Sequence, residues 1–271
     1  MTIALGLNFN GGIVIAADTL ETHYSMKVST AKVKLSARSD FGAIVISGAG
    51  TAGYIDSISQ EFQRMFMASD SSESLDGLEA KFKILLEEFY AKHVLLPFER
   101  EKRHFSLIIG VTKGSDCKLW TSEEDTLKSS QGFAAVGVGA EFALTVLSHY
   151  YRYSLPREQG ELLASYVTYL AKETIDSCGK YTDVVSVYGP MFNLIPRLTT
   201  QFMENQFAQF SLFETAAVQY MLGRPVKDKA GSRKSLISFL DGIRSEIQGE
   251  HKSNIVEHPV IDWGDDRFHG K

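Results

Sequence analysis

Thr2-Ile3-Ala4-Leu5-Gly6-Leu7-Asn8-Phe9-Asn10-Gly11-Gly12-Ile13-Val14-Ile15-Ala16-Ala17-Asp18 reads as two apolar runs folded about an Asn-Gly pair. An Asn-Gly turn between hydrophobic runs is a strong hairpin signal, because both residues accept the backbone twist that a tight antiparallel connection demands. The second run, Ile13–Ala17, is apolar at every position. A strand of that kind is covered on both faces, so the hairpin lies inside a layered structure.

Outward from this hairpin, a polar segment from Thr19 to Ala31 leads to a second strand pair, Lys32–Ala37 and Gly42–Ser47, joined at Arg38-Ser39-Asp40. The period then changes. After Gly48-Ala49-Gly50, the apolar side chains Tyr54, Ile55, Ile58, Phe62, Met65 and Phe66 fall at helical spacing, predicting a helix over Thr51–Met67. A second helix is predicted over Leu75–Leu95, with Pro97 just past its end as a stop. Strands return at Phe105–Thr112, Lys118–Thr121 and Phe133–Val136. Helices follow from Gly137-Val138-Gly139 to about His149 and over Arg157–Asp176, then a strand at Asp183–Tyr188. Blocks of strands alternating with pairs of helices predict an α+β fold with two sheets and helices outside, rather than a doubly wound parallel sheet. Beyond about residue 200, Glu204–Leu222 is amphipathic, Lys227–Lys234 reads as an exposed linker, and Ser235–Gln248 reads as a further helix. The expected division is a domain over 1–200 and a helical extension with a tail over 201–271.

Composition narrows the function classes. A net charge of −5 gives no basic surface for nucleic acid. Cys117 and Cys178 are the only cysteines, too few for a disulfide framework or a cysteine zinc site. No run of 18 apolar residues marks a membrane span, and no secretory signal opens the chain. A reducing cytoplasm is the expected home, with no cofactor and no metal.

Thr2 is the residue with the most chemical potential. Removal of Met1 would leave an amine and a β-hydroxyl on one residue. A hydroxyl needs a base within hydrogen-bond reach, and an α-amine with a pKa near 8 can serve. Such a nucleophile also needs a cation beside the amine, a carboxylate to orient that cation, and N–H donors for the oxyanion. Asp18 ends the second strand of the hairpin, next to the start of the first. Lys32 and Lys34 share a strand face by period-two spacing. Ser47-Gly48-Ala49-Gly50 reads as a strand–helix joint whose slim backbone suits developing negative charge. Separately these are an ordinary strand end, a solvated lysine face and a common loop; together, behind Thr2, they form a candidate site.

The run from Thr2 to Asp18, then Ser29-Thr30-Ala31-Lys32-Val33-Lys34-Leu35 and Ser47-Gly48-Ala49-Gly50, resembles proteasome β-type subunits. The peptidase subunit of the bacterial ATP-dependent heat-shock protease has a similar layout. The resemblance needs no gap from Thr2 through Gly50 and extends less tightly to about residue 190. It implies a four-layer αββα fold of the N-terminal nucleophile type and a threonine peptidase inside a homo-oligomeric ring, fed in some cases by an ATPase partner. In that frame Thr2 is the nucleophile, Lys34 the catalytic lysine, Asp18 its carboxylate and Gly48 the oxyanion donor. Thr22 and Gly50 match positions that hold an extended substrate, as an added strand would. Glu21, Lys32, Ser36, Ile46 and Tyr54 match the specificity pocket, where Lys32 either favours acidic side chains or pairs with Glu21.

Two departures stand out. The family's Gly-Ser-Gly joint is Gly137-Val138-Gly139 here, and valine cannot hydrogen-bond. The supporting Asp-x-x-Ser-Gly becomes Asp176-Ser177-Cys178-Gly179, with Asp176 one residue out of step and Cys178 in place of serine. They motivate two alternatives: a catalytically silent ring subunit, and an N-terminal nucleophile amidohydrolase for a small amide. Apolar faces on Glu204–Leu222 and Ser235–Gln248 serve either as internal packing or as cover for a neighbouring subunit.

Overall fold

A computed structural model describes residues 2–23, 26–93, 104–222, 242 and 245. The opening hairpin is β1 (Ile3–Phe9) and β2 (Gly12–Asp18), in antiparallel register from Ala4↔Ala17 to Phe9↔Gly12. A small hairpin of β3 (Leu20–His23) and β4 (Met26–Ser29) follows, then β5 (Lys34–Arg38) and β6 (Gly42–Gly50). Next come α1 (Ala52–Ala68), α2 (Leu75–His93), β7 (Phe105–Lys113), β8 (Asp116–Glu123), β9 (Thr126–Ser130) and β10 (Phe133–Gly137). The described chain continues through α3 (Ala140–Tyr150), α4 (Arg157–Thr174), β11 (Thr182–Tyr188), β12 (Met191–Leu194) and α5 (Arg197–Met221).

The strands form two five-stranded antiparallel sheets, ordered β10-β1-β2-β11-β12 and β5-β6-β7-β8-β9. Their facing sides meet through Ile13, Ile15, Val45, Ile108 and Leu119, which explains why β2 carries no polar side chain before Asp18. The outer side of the second sheet packs on α1 and α2 through Phe62, Phe66, Phe82 and Trp120, all fully buried. The outer side of the first packs on α3 and α4 through Leu5, Leu7, Leu147 and Val167. Each such aromatic or aliphatic side chain contributes roughly 1.5–3 kcal/mol by leaving water. The result is the four-layer αββα arrangement expected above.

Local differences have local causes. The polar segment after Thr19 folds as the β3–β4 hairpin, whose second strand is exposed along its length, Met26 and Val28 included. β9 and β12 are short edge strands, Thr126-Leu127-Lys128-Ser129-Ser130 and Met191-Phe192-Asn193-Leu194, without clear alternation. β6 runs through Gly50, where the glycines suggested a joint after Ser47. α5 starts at Arg197, seven residues before Glu204, and seats Met203 and Phe207 against Tyr169 of α4. The expected helix at Ser235–Gln248 lies outside the described residues except for Gly242 and Ser245, as do Met1 and Pro97. Among the described residues, no helix is long and apolar enough to cross a membrane.

Candidate active site

The β1–β2 register brings the chain start to the end of β2. Ala4 pairs with Ala17, so the next step outward sets Ile3 level with Asp18, and the Ile3 N–H donates to Asp18 Oδ1 at 3.1 Å. β11 flanks β2 on its other side, with Thr182 opposite Asp18. Asp18 is therefore fully buried at the end of a central strand, where its carboxylate must find donors. The Thr2 hydroxyl donates to Oδ1, and Oδ2 accepts from the N–H groups of Leu20 (3.3 Å) and Gly179 (2.9 Å). Thr2 itself is only 5% exposed.

The cation completing this group is Lys32. Its Nζ donates to Thr2 Oγ1, to Asp18 Oδ1 at 2.9 Å and to the Leu20 carbonyl at 2.5 Å, so all three ammonium protons have acceptors. The ungapped resemblance assigned this place to Lys34, and the geometry corrects it. Lys34 Nζ pairs instead with Asp56 on α1. Val33, just before β5, and Leu35 and Ala37 within it face the other sheet, while Lys34, Ser36 and Arg38 face the helix layer and bond α1. Lys32 would share that outward side only if the strand began earlier. Residues 30–33 lie outside the ladder, which frees Lys32 to turn toward Thr2. The alternation of apolar Val33, Leu35 and Ala37 with polar Lys34, Ser36 and Arg38 was the signal in the sequence that Lys34 points away from the sheet interface.

Gly48 sits in β6 opposite Leu107. The Leu107 N–H is turned to Ser122 Oγ on the β8 side at 2.9 Å, and the Thr51 N–H reaches back to the His104 carbonyl at 3.1 Å. By strand alternation the Gly48 N–H faces away from β7, toward the edge where the β5 ladder ends at Lys34↔Ile46. Continuing that register by two residues sets Lys32 level with Gly48. A side chain at Gly48 would collide with Leu107, Ile55 and the Ser106 carbonyl, so only glycine lets the backbone run here. Gly137, paired with Ile3, has a φ of +95°, and a Cβ there would lie 2.2 Å from the Thr2 carbonyl oxygen. Its backbone thus buttresses Thr2 from the β10 side.

Other expected residues are distributed differently. Asp176 is exposed in the turn after α4 and bonds none of Thr2, Asp18 or Lys32, so the misaligned motif has lost its carboxylate from the site. The same turn supplies the Gly179 N–H instead, a backbone donor with no sequence signature. Cys178, buried to 5% exposure, packs into the helix-facing core, and burial together with the Asp18 charge pushes its thiol up to about 11. Val138 is half exposed and offers no polar group. Ile46 is wholly buried among Ile44, Ile55 and Phe105, so it presents no surface to a substrate. Tyr54 is half-buried on α1 with its hydroxyl on the His93 carbonyl at 3.2 Å. Thr22 is exposed on β3 opposite Lys27, Glu21 is half-buried beside it, and Gly50 ends β6 with a φ of +119°. Lys32, expected in the specificity pocket, is instead at Thr2. Among the described residues there is no cluster of metal-ligating side chains.

Comparisons with known proteins bear on the fold and the family. Anbu (ancestral beta-subunit) from Yersinia bercovieri is 12% identical with a TM-score of 0.65, covering 84% of this chain and 100% of that one. The Anbu of Pseudomonas aeruginosa, solved as a helical assembly, is 15% identical with a TM-score of 0.67, covering 86% and 100%. Anbu from Hyphomicrobium sp. strain MC1 is 14% identical with a TM-score of 0.62, covering 84% and 100%. No curated protein matches the sequence. A family model described as proteasome subunit matches residues 2–187, and the chain belongs to that family.

Proposed function

We propose that the chain is a threonine peptidase whose nucleophile is Thr2, acting on peptides or unfolded protein inside a ring or similar closed homo-oligomer. The observation that carries this reading is the meeting of Thr2 Oγ1 with both Asp18 and Lys32 in one largely buried group. With the residue ahead of Thr2 removed, the freed amine takes the hydroxyl proton as Oγ attacks a peptide carbonyl carbon. The Gly48 N–H receives the developing oxyanion. Collapse of the tetrahedral intermediate breaks the C–N bond, the leaving amine takes the proton back, and an ester to Thr2 remains. Water, deprotonated by the same amine, hydrolyses that ester and restores the hydroxyl. Lys32 acts as a fixed positive charge: its three donors are engaged, so it stabilises negative charge on Oγ rather than collecting a proton. Asp18 orients Lys32 and the hydroxyl together. An extended substrate is held along Gly50 and Thr22.

The test has two parts. Mass spectrometry of the purified protein should show a chain beginning at Thr2, and a peptide epoxyketone, which needs both hydroxyl and amine, should add to that residue. Active protein retaining Met1, or an adduct that persists in Thr2→Ala, would sink the mechanism. A silent ring subunit is the second reading, favoured by the exposure of Asp176 and the apolar Val138. It requires that no adduct form on chains that begin at Thr2.

A further inference from the structure

α5 lies beyond the residues that match the family, yet its side chains reach the segments that flank the candidate site, and Glu204 ties two of them together. Glu204 Oε1 accepts from Lys172 Nζ of α4 at 2.5 Å and from Thr182 Oγ1 at the start of β11 at 2.6 Å. Lys172 is only 7% exposed, and its Nζ also donates to the Lys180 carbonyl at 3.0 Å. Lys180 is one of two non-glycine residues with positive φ among those described, at +63°. A lysine is held in that left-handed conformation only where its surroundings enforce it. The residues on either side of Lys180 are tied to the site. The Gly179 N–H donates to Asp18 Oδ2, the Gly179 carbonyl accepts from the Leu20 N–H at 3.1 Å, and Tyr181 exchanges bonds with Thr19 at 2.9 Å. Leu20 in turn gives its carbonyl to Lys32.

We propose that Glu204 is a positioning residue for the Thr2 site: through Lys172 and Thr182 it clamps the Lys180 turn, and the turn delivers the Gly179 N–H to Asp18. This rests on the peptidase reading above. α5 is thereby part of the catalytic architecture of this chain, and not merely a helix appended to a complete core. The clamp works by geometry. Without the carboxylate, Lys172 loses its anchor, the left-handed turn relaxes, and Asp18 loses a donor on the oxygen opposite the one that holds Thr2 and Lys32.

The test uses the full chain in a Cys117→Ser background, so that only Cys178, in the same turn, reports on thiol labelling. In Glu204→Ala, kcat for a fluorogenic peptide should fall about tenfold with KM unchanged, because misplacing reacting groups slows chemistry without touching remote substrate contacts. Labelling of Cys178 by a thiol reagent should quicken by about tenfold as local opening of the turn exposes it. Glu204→Gln, which can still accept from both partners, should recover most of each effect, and Thr182→Val should reproduce part of them if Glu204→Ala fails to fold. A rise in KM at constant kcat, or unchanged turnover and labelling, overturns the clamp. Failure of the parent chain to form an epoxyketone adduct sinks the peptidase reading instead, so the two failures are separable.

Discussion

Two lysines, two residues apart, form ion pairs of opposite character. Lys32 meets Asp18 where the carboxylate is fully buried, at the end of β2 and beside a hydroxyl. Lys34 meets Asp56 on a helix surface where the carboxylate side chain is 63% exposed. The residue types are the same. What differs is whether the backbone at the lysine belongs to the ladder. Inside β5 the pleat fixes Lys34 on the helix side, and just before it the chain is free to turn Lys32 inward. A buried, fully engaged charge can act on a neighbouring hydroxyl, whereas a solvated one is screened.

The sharpest way to break this contrast is activity. Lys32→Met should lower kcat/KM on a peptide by on the order of 10³-fold, as expected for loss of a charge that stabilises the attacking oxygen. Lys34→Met should stay within about threefold of the parent, since its partner is a surface carboxylate. Equal losses in the two variants would show that the contrast is wrong. The next effect is mechanical: Gly137→Ala places a Cβ 2.2 Å from the Thr2 carbonyl oxygen and should reduce epoxyketone labelling about 100-fold, the scale expected when a reacting group shifts by an ångström. Stability sharpens the comparison further. Urea titration of Asp18→Asn should show a loss of about 3 kcal/mol, because Lys32 is left with no counter-charge, against less than about 1 kcal/mol for Asp56→Asn.

The smallest effect concerns Cys178. Its thiol is raised from the usual 9.0 to about 11, first by burial and then by the Asp18 charge. The unfolded chain releases that proton before the folded one does. This contribution to stability is thus fully present below about pH 9 and is lost as pH climbs toward about 11. Denaturation between those values should show a shallower decline in Cys178→Ala than in the parent chain.

Much of the fold was legible because its signals were local. Ile13–Ala17, apolar at every position, announced a strand covered on both faces, and the sheet-to-sheet core confirms that cover. The helical spacing from Tyr54 to Phe66 announced α1, which buries Ile55, Ile58, Phe62 and Phe66. Thr2 and Asp18 were legible for the same reason: a tight hairpin brings its two ends together, whatever the rest of the chain does. β9 and β12 escaped notice because edge strands need bury only one flank. Lys34 was matched to the place that Lys32 occupies because an ungapped comparison carries no information on where a ladder begins.

The sequence by itself therefore determined the layers, the hairpin and the meeting of Thr2 with Asp18, since each depends on residues close in the chain or on a strict period. The tertiary structure alone decided which lysine serves them, that Asp176 stands outside the site, and that Gly179, Lys180 and Glu204 stand behind Asp18. The choice of lysine turns on where the β5 ladder begins; the other relations join segments about 160 or more residues from Asp18, or depend on backbone N–H groups that every residue possesses, and no side-chain pattern encodes them.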